Sequence, residues 1–410
     1  APKGPSCARA RPPLLPPLLP PLLLLLCLRT WCAPLGEFTF PDQRQGSLQD
    51  FQVVYPSRVD GSLRFLSHDL LYHEPLHQRD RWQVPADASL HYVFEHDGRQ
   101  LHLNVTLNSG LLSAGYVLER QQGKTHRQGS RNTCHHTGDI LEGAAVRGAV
   151  AVSTCNSLTG VLSFSHGEHY FIEPVRGVVR TEGSPQPHVV YKRDPIQRLA
   201  SACISDAPGH AQSVERQRER WQRRHGPRRR IAQRSTSTER WVETLVVVDP
   251  KMVQYHGRDN IENYIFSIIN MVSGLYHDAS IGNPINIVLV RLIILEEDQE
   301  GLKIVHHADK TLASFCKWQK SLNSREEESN ATRHDIAVLV TRKDLCVGMN
   351  RPCETLGLSH VSGMCQPHRS CNINEDTGLP LAFTVAHEMG HSLCYDQWPE
   401  RGIGTSSGLS

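Results

Sequence analysis

The run from Leu379 to His391, L-P-L-A-F-T-V-A-H-E-M-G-H, constrains this chain more than any other stretch. An α-helix turns once every 3.6 residues, so His387 and His391, four apart, project from one face within reach of a single cation, with Glu388 beside them. Two neutral imidazoles suit zinc, at roughly 2.1 Å each, and the carboxylate is placed to take a proton from a water attacking a carbonyl. Three fixed residues also match by accident in a small share of chains, so the setting has to carry the reading. Asp376 or Thr377 is placed to cap the helix, and Pro380 suits its first turn.

The text before that helix supplies a scaffold. Trp241 to Asp249, W-V-E-T-L-V-V-V-D, is a near-continuous β-branched run of the kind found inside a sheet. Ile261, Tyr264, Ile265, Ile268, Ile269, Val272, Leu275 and Tyr276 then recur at three and four, an amphipathic helix ended by Gly282 and Asn283. A second strand starts at Ile285, a shorter helix runs from about Lys310 to Leu322, and a third strand from Ile336 to Thr341. This alternation implies an α/β sheet with right-handed crossovers, beneath which the histidine-bearing helix packs. Thr355 to Val361, T-L-G-L-S-H-V, reads as an edge strand, to which an extended peptide can add by backbone hydrogen bonds.

At 410 residues the chain has room for two or three domains. Its 44 Lys and Arg against 42 Asp and Glu give a formal +2, so overall charge gives no reason to expect a nucleic-acid partner. Residues 1–36 carry Lys3, Arg9 and Arg11, a proline-interrupted leucine run ending at Leu26, and small residues at Ala33 and Gly36. That order is expected of a secretory signal more than of a proline-rich leader, and the uninterrupted apolar run is too short to span a bilayer. Of the cysteines outside this segment, Cys134, Cys155, Cys203, Cys316, Cys346, Cys353, Cys365, Cys371 and Cys394, the number is odd, so at least one thiol is unpaired or held by something other than sulfur. The triplets at Asn104 and Asn330 are glycosylation sequons, which agrees with secretion.

Residues 37–213 read as a β-rich domain, with alternating segments starting at Phe51, Leu90, Leu101 and His169. His135 and His136 follow Cys134; a metal pair and a turn-exposed pair beside a Cys134 to Cys155 disulfide compete, and the second is favoured. Val214 to Arg234 carries nine arginines with almost no apolar periodicity. Such a run stays solvated and open to proteases. It reads as a basic patch, a tether, or a processing site for a proprotein convertase at Arg223, Arg230 or Arg234, and its place between two folded regions favours processing.

V-E-T-L-V-V-V-D from Val242, S-F-C-K-W-Q-K-S from Ser314, T-R-K-D-L-C from Thr341, C-E-T-L-G-L-S-H-V-S-G-M-C from Cys353 and A-F-T-V-A-H-E-M-G-H-S from Ala382 together resemble the ADAMTS family, in wording similar to members seven and twelve. These are secreted zinc metalloendopeptidases with a prodomain and downstream thrombospondin-type repeats. The resemblance implies an α/β metzincin-like catalytic domain, residues 239–392 and incomplete at its C-terminal end, preceded by the β-rich prodomain. It implies zinc on His387 and His391, Glu388 as general base, and Cys203 as the prodomain thiolate that occupies the metal in the latent form, where the residues alone read as an ordinary linker thiol. It further implies calcium on Glu243, Asp335 and Asp344. Cys316 would pair with Cys371 and Cys346 with Cys353, and Cys365 would look for a cysteine this chain never reaches. Extracellular matrix proteins are the implied substrates.

The metzincin pattern H-E-x-x-H-x-x-G-x-x-H continues with a helix-breaking glycine and a third histidine. Here those places hold Cys394 and Gln397, and residues 393–410 form a divergent tail in which Asp396 and Glu400 are the nearest carboxylates. Two expectations follow: a secreted endopeptidase precursor that is inactive as it stands, or a non-enzyme that acts as a binding or regulatory protein.

Overall fold

The computed structural model of the chain describes residues 51–71, 89–122, 124–128, 132–175, 177–178, 183–192, 239–323, 333–346, 353 and 355–393. The described elements before residue 200 are all strands: β1 (Phe51–Val54), β2 (Ser57–Val59), β3 (Phe65–Ser67), β4 (Leu90–His96), β5 (Arg99–Leu107), β6 (Leu112–Gln122), β7 (Lys124–Gln128), β8 (His135–Glu142), β9 (Ala145–Ser153), β10 (Thr159–Phe164), β11 (His169–Pro174) and β12 (His188–Lys192). Ten of them form one sheet in the order β1-β12-β11-β10-β9-β8-β5-β4-β2-β3. Alternation sends Tyr92 and Phe94 of β4 to the same side as Leu101, Leu103 and Val105 of β5, and these residues share a core with Ile140, Leu162 and Ile172.

The second half is α/β. Its elements are β13 (Arg240–Val248), α1 (Pro250–His256), α2 (Ile261–Tyr276), β14 (Ile285–Leu295), α3 (Ala308–Asn323), β15 (Ile336–Thr341), β16 (Gly357–Ser359), β17 (Cys371–Glu375) and α4 (Leu381–Ser392). They build a seven-stranded sheet, β16-β17-β15-β13-β14-β6-β7. Strands β17, β15, β13, β14 and β6 run parallel, flanked by antiparallel β16 and β7. A parallel sheet needs helical crossovers and buries both faces. So Val246 and Val248 of β13 pack toward α2 and α4, while Leu245 and Val247 pack with Phe315 and Trp318 of α3.

One sheet carries strands from both halves. The hairpin β6–β7 lies within residues 37–213 in the sequence reading, yet β6 pairs in parallel with β14, from Arg291 opposite Val117 to Leu295 opposite Gln121. Glu119 Oε2 of β6 accepts from Arg291 Nη2 at 2.7 Å, with side chains only 3% and 9% exposed. Helix α2 is buried on more than one side, because β8, β9 and β10 cover it on one flank and β14 on the other. Its Asn270 sits at that junction: Nδ2 donates to His136 O (3.0 Å) and Val152 O (3.3 Å), and Oδ1 accepts from Asn108 Nδ2 (3.0 Å). One apolar cluster consequently mixes Leu111, Tyr116, Phe171 and Tyr191 with Phe266, Ile269, Phe383 and Val385.

This packing corrects the reading of His135 and His136 as a turn-exposed pair. Both belong to β8 and are 0% and 3% exposed, His135 edge-on to Phe266 of α2 at 5.6 Å. Burial disfavours the imidazolium and pushes His135 down to about 3 and His136 to about 4, so both are neutral near pH 7. Disulfides join Cys134 to Cys155, Cys316 to Cys371 and Cys346 to Cys353. Cys365 is disulfide-bonded as well, so the expectation that its partner lies beyond the chain is corrected.

Candidate metal centre

Helix α4 begins two residues later than the sequence suggests, at Leu381, with Pro380 in the capping position and no side-chain cap bond. Neither Asp376 nor Thr377 caps it. The Asp376 carboxylate is spent on other partners, among them Gly378 N at 3.1 Å, and Thr377 Oγ1 is buried without a partner. The apolar positions Leu381, Val385 and Met389 pack inward with α2, which leaves Glu388 against β16, His391 half-buried and His387 exposed. Two of the C-terminal carbonyls that a helix leaves unpaired are taken: Ser362 N donates to His391 O and Met364 N to Ser392 O, both at 2.8 Å. Tyr276 Oη of α2 donates to Ala386 O at 2.8 Å, which ties the middle of the helix down.

The two imidazoles converge. Their Nε2 atoms are 3.0 Å apart, and the ring planes stand at 89°. Two nitrogens at about 2.1 Å on a tetrahedral zinc would be roughly 3.4 Å apart, so the pair fits that ion as two of its donors. Burial lowers the His391 pKa, which favours the neutral form a metal needs. Among the described residues, the groups of three or more metal-type donors are Cys134, His135 and Cys155, and Asp344, Cys346 and Cys353. Neither group includes the α4 histidines, and the cysteines in both are disulfide sulfurs.

Glu388 is 2% exposed and is held by one bond, Ser359 Oγ donating to its Oε2 at 2.7 Å, while Oε1 is buried without a partner. Burial raises the carboxyl to about 7, against which the Ser359 bond pulls weakly. A proton acceptor with that value and an unpaired oxygen is equipped for proton transfer near neutral pH. Sequence reading did not identify Ser359 or Gly357. A Cβ on Gly357 would come within 2.7 Å of Glu388 Cγ and 2.8 Å of Oε1, so only glycine lets β16 lie this close to the acid. The glycine inside the predicted edge strand was the available signal. Strand β16 pairs with β17 and ends the sheet.

The other expected site residues are scattered. Glu243 and Asp335 meet at the start of β13 and β15, where Glu243 N donates to Asp335 Oδ2 at 2.9 Å. Asp344 follows the far end of β15, and its carbonyl accepts from His306 Nδ1 at 2.8 Å, so the three carboxylates do not form one cluster. Asn104 lies in mid-strand β5, half-buried with Oδ1 enclosed, whereas sequons usually sit on loops. Cys203, Arg223, Arg230, Arg234, Asn330, Cys394 and Gln397 lie outside the described residues.

A helix with paired imidazoles and a buried acid, set against the edge of a mostly parallel sheet, is the arrangement of a zinc peptidase domain. The Reprolysin (M12B) family zinc metalloprotease pattern matches residues 240–401, and the Reprolysin family propeptide pattern matches residues 52–141. A disintegrin and metalloproteinase with thrombospondin motifs 7 from Homo sapiens is 49% identical over 405 residues, which cover 96% of this chain and 23% of that protein. Member 12 from Mus musculus is 49% identical over 368 residues, 86% of this chain and 23% of that protein. Member 6 from Homo sapiens is 39% identical over 398 residues, 88% and 34% respectively. The chain belongs to the ADAMTS family of zinc metalloproteases. It spans about a quarter to a third of the length of these relatives, 23% to 34%.

Proposed function

We propose that the chain is the precursor of a secreted zinc metalloendopeptidase directed at extracellular matrix proteins, and that it is inactive as it stands. The observation that carries this is the 3.0 Å convergence of His387 and His391 beside a buried, half-paired Glu388. Zinc, when bound, supplies the Lewis acidity that activates water and polarises a peptide carbonyl. The chain's own residues do the rest. His387 and His391 contribute two neutral nitrogen donors, and β16 offers an edge on which an extended substrate aligns by backbone hydrogen bonds. Glu388, on the helix face beside that edge, takes the proton from the attacking water at Oε1 and returns it to the leaving amine, while Ser359 holds Oε2.

Inactivity rests on the donor count. Catalytic zinc sites of this kind use three protein ligands, and the described residues bring two. The alternative is a binding or regulatory role without catalysis, which is consistent with a core that spans both halves of the chain. Further parts of the proposal are processing by a proprotein convertase in residues 214–234, Cys203 as the latent-form ligand, and calcium held by Glu243 and Asp335, with Asp344 serving a separate position.

The test is metal analysis with a protease assay on purified, processed protein. Substoichiometric zinc and no cleavage of denatured matrix protein are expected. Tight one-to-one zinc with chelator-sensitive cleavage would overturn the claim of inactivity. No zinc binding at all, or zinc binding that persists unchanged when both histidines are removed, would sink the metal centre itself.

A further inference from the structure

Several elements around α4 converge on one carboxylate that the proposed chemistry does not use. Asp376 directly follows β17, and its side chain is fully enclosed at 0% exposure. Oδ2 accepts from His256 Nε2 at the end of α1 (2.8 Å) and from Arg342 Nη1 just beyond β15 (2.9 Å). Oδ1 accepts from Tyr264 Oη of α2 and from Gly378 N (3.1 Å), on the lead into α4. The backbone N–H donates to Thr341 O at 2.8 Å, fixing the residue at the end of β15. The partners are locked in turn. His256 stacks on Tyr264 with ring centroids 3.9 Å apart, and the Arg342 guanidinium lies 3.6 Å above the Tyr255 ring.

Burial alone would keep this acid protonated, but the hydrogen bond and charge of His256 and the bonds from Tyr264 and Gly378 outweigh it and hold the carboxyl below its ordinary range. Its place in the chain matters as much. Asp376 stands only five residues before Leu381, and α4 has no side-chain cap of its own. The Asp376 to Gly378 bond and what grips Asp376 thus bear on the entry of the helix, beside Leu381 N donating to Gly378 O at 3.0 Å and the burial of Leu379 and Leu381. At about 1.5 Å rise per residue, His387 lies roughly 9 Å along the axis from Leu381, so a small change of entry angle is carried to the imidazoles.

We propose that Asp376 is a positioning residue: through Gly378 it fixes the direction in which α4 leaves the sheet, and so sets where His387, His391 and Glu388 stand against β16. The proposal rests on reading α4 as the metal-binding helix. Groups bonded directly to a metal's ligands typically carry about tenfold to a hundredfold of the metal affinity, and Asp376, which acts through the helix backbone, is expected at the low end of that range.

The experiment compares the full chain with Asp376→Asn, which keeps shape and removes charge, with Tyr264→Phe, which removes a single hydroxyl, and with Asp249→Asn. Asp249 is also buried, but its carboxylate is bonded to Thr341 Oγ1 of β15 and Met252 N of α1, and not to the lead into α4. Amide hydrogen exchange in metal-free protein should show residues 381–391 of Asp376→Asn exchanging about tenfold faster relative to β13 and β14, with a smaller rise in Tyr264→Phe and no selective rise in Asp249→Asn. Zinc affinity, read by competition with a chromophoric chelator, should fall about tenfold in Asp376→Asn and hold in Asp249→Asn. Should Asp376→Asn fail to fold, Tyr264→Phe decides. Selective loosening of α4 supports the proposal, and exchange that rises evenly across the sheet, or zinc affinity equal to the parent's, overturns it. If the parent binds no zinc at all, the reading of the metal centre fails on that result, while the exchange pattern still judges Asp376.

Discussion

Glu388 makes two residue-scale predictions. Its carboxyl is raised to about 7 from the ordinary 4.5, so between those values the metal-free native state binds more protons than the unfolded chain. Stability then falls as pH rises through that window, by an amount of order 3 kcal/mol from this group. Urea midpoints of parent and Glu388→Gln across pH 4.5 to 7.5 isolate the effect: the parent should lose ground on Glu388→Gln as pH rises, and parallel curves would show that the acid is not desolvated. Gly357→Ala tests the same contact from the other side. The new methyl would have to stand within 2.7 Å of Glu388, so a loss of about 1–3 kcal/mol is expected by thermal or urea unfolding. Of these residues, Glu388 was legible from its spacing to two histidines, and Gly357 and Ser359 were not. What defines them is an approach between β16 and α4 across about thirty residues, as in the Ser359 to Glu388 bond with its separation of 29, and no local pattern encodes that.

At the scale of elements, the parallel strands β13, β14 and β15 were readable because burial on two faces demands continuous apolar text, and helix α2 because its apolar residues repeat at three and four. Strand β6 was not, since L-S-A-G-Y-V-L-E-R-Q-Q holds a glycine and two charges. Its Glu119 is tolerable inside because Arg291, 172 residues away in sequence, meets it there. His135 and His136 misled for the same reason: polar side chains read as surface until a helix from elsewhere covers them. The buried pair gives the element-scale prediction. Glu119→Ala leaves Arg291 enclosed beside a missing partner and should cost about 3–5 kcal/mol, whereas the double variant Glu119→Leu with Arg291→Met should recover most of it. Equal losses in single and double variants would mean that packing of β6, and not the charge, is what holds the strand.

For the whole molecule, the shared core decides what a cut in residues 214–234 does. Leu111, Tyr116, Phe171 and Tyr191 from one side of the cut share a cluster with Phe266, Ile269 and Phe383 from the other, and β6 supplies the neighbour that β14 would otherwise lack. Fully buried side chains of this size contribute about 1.5–3 kcal/mol each. Several of them, a strand pairing and a buried ion pair compete with an association cost of about 4–15 kcal/mol once the halves are separate chains. The expected outcome of convertase cleavage is two bands on a denaturing gel and one peak on size exclusion, unchanged in 1 M salt because the contact is mainly apolar. Acid should part them. His135 and His136 lie in that contact with values of about 3 and 4, below the ordinary 6.5, so the open form binds more protons and stability is lost as pH falls below about 6.5. Replacing both with glutamine should flatten this acid dependence. Fragments that separate at neutral pH and low salt would show that the linker, and not the common core, keeps the halves together.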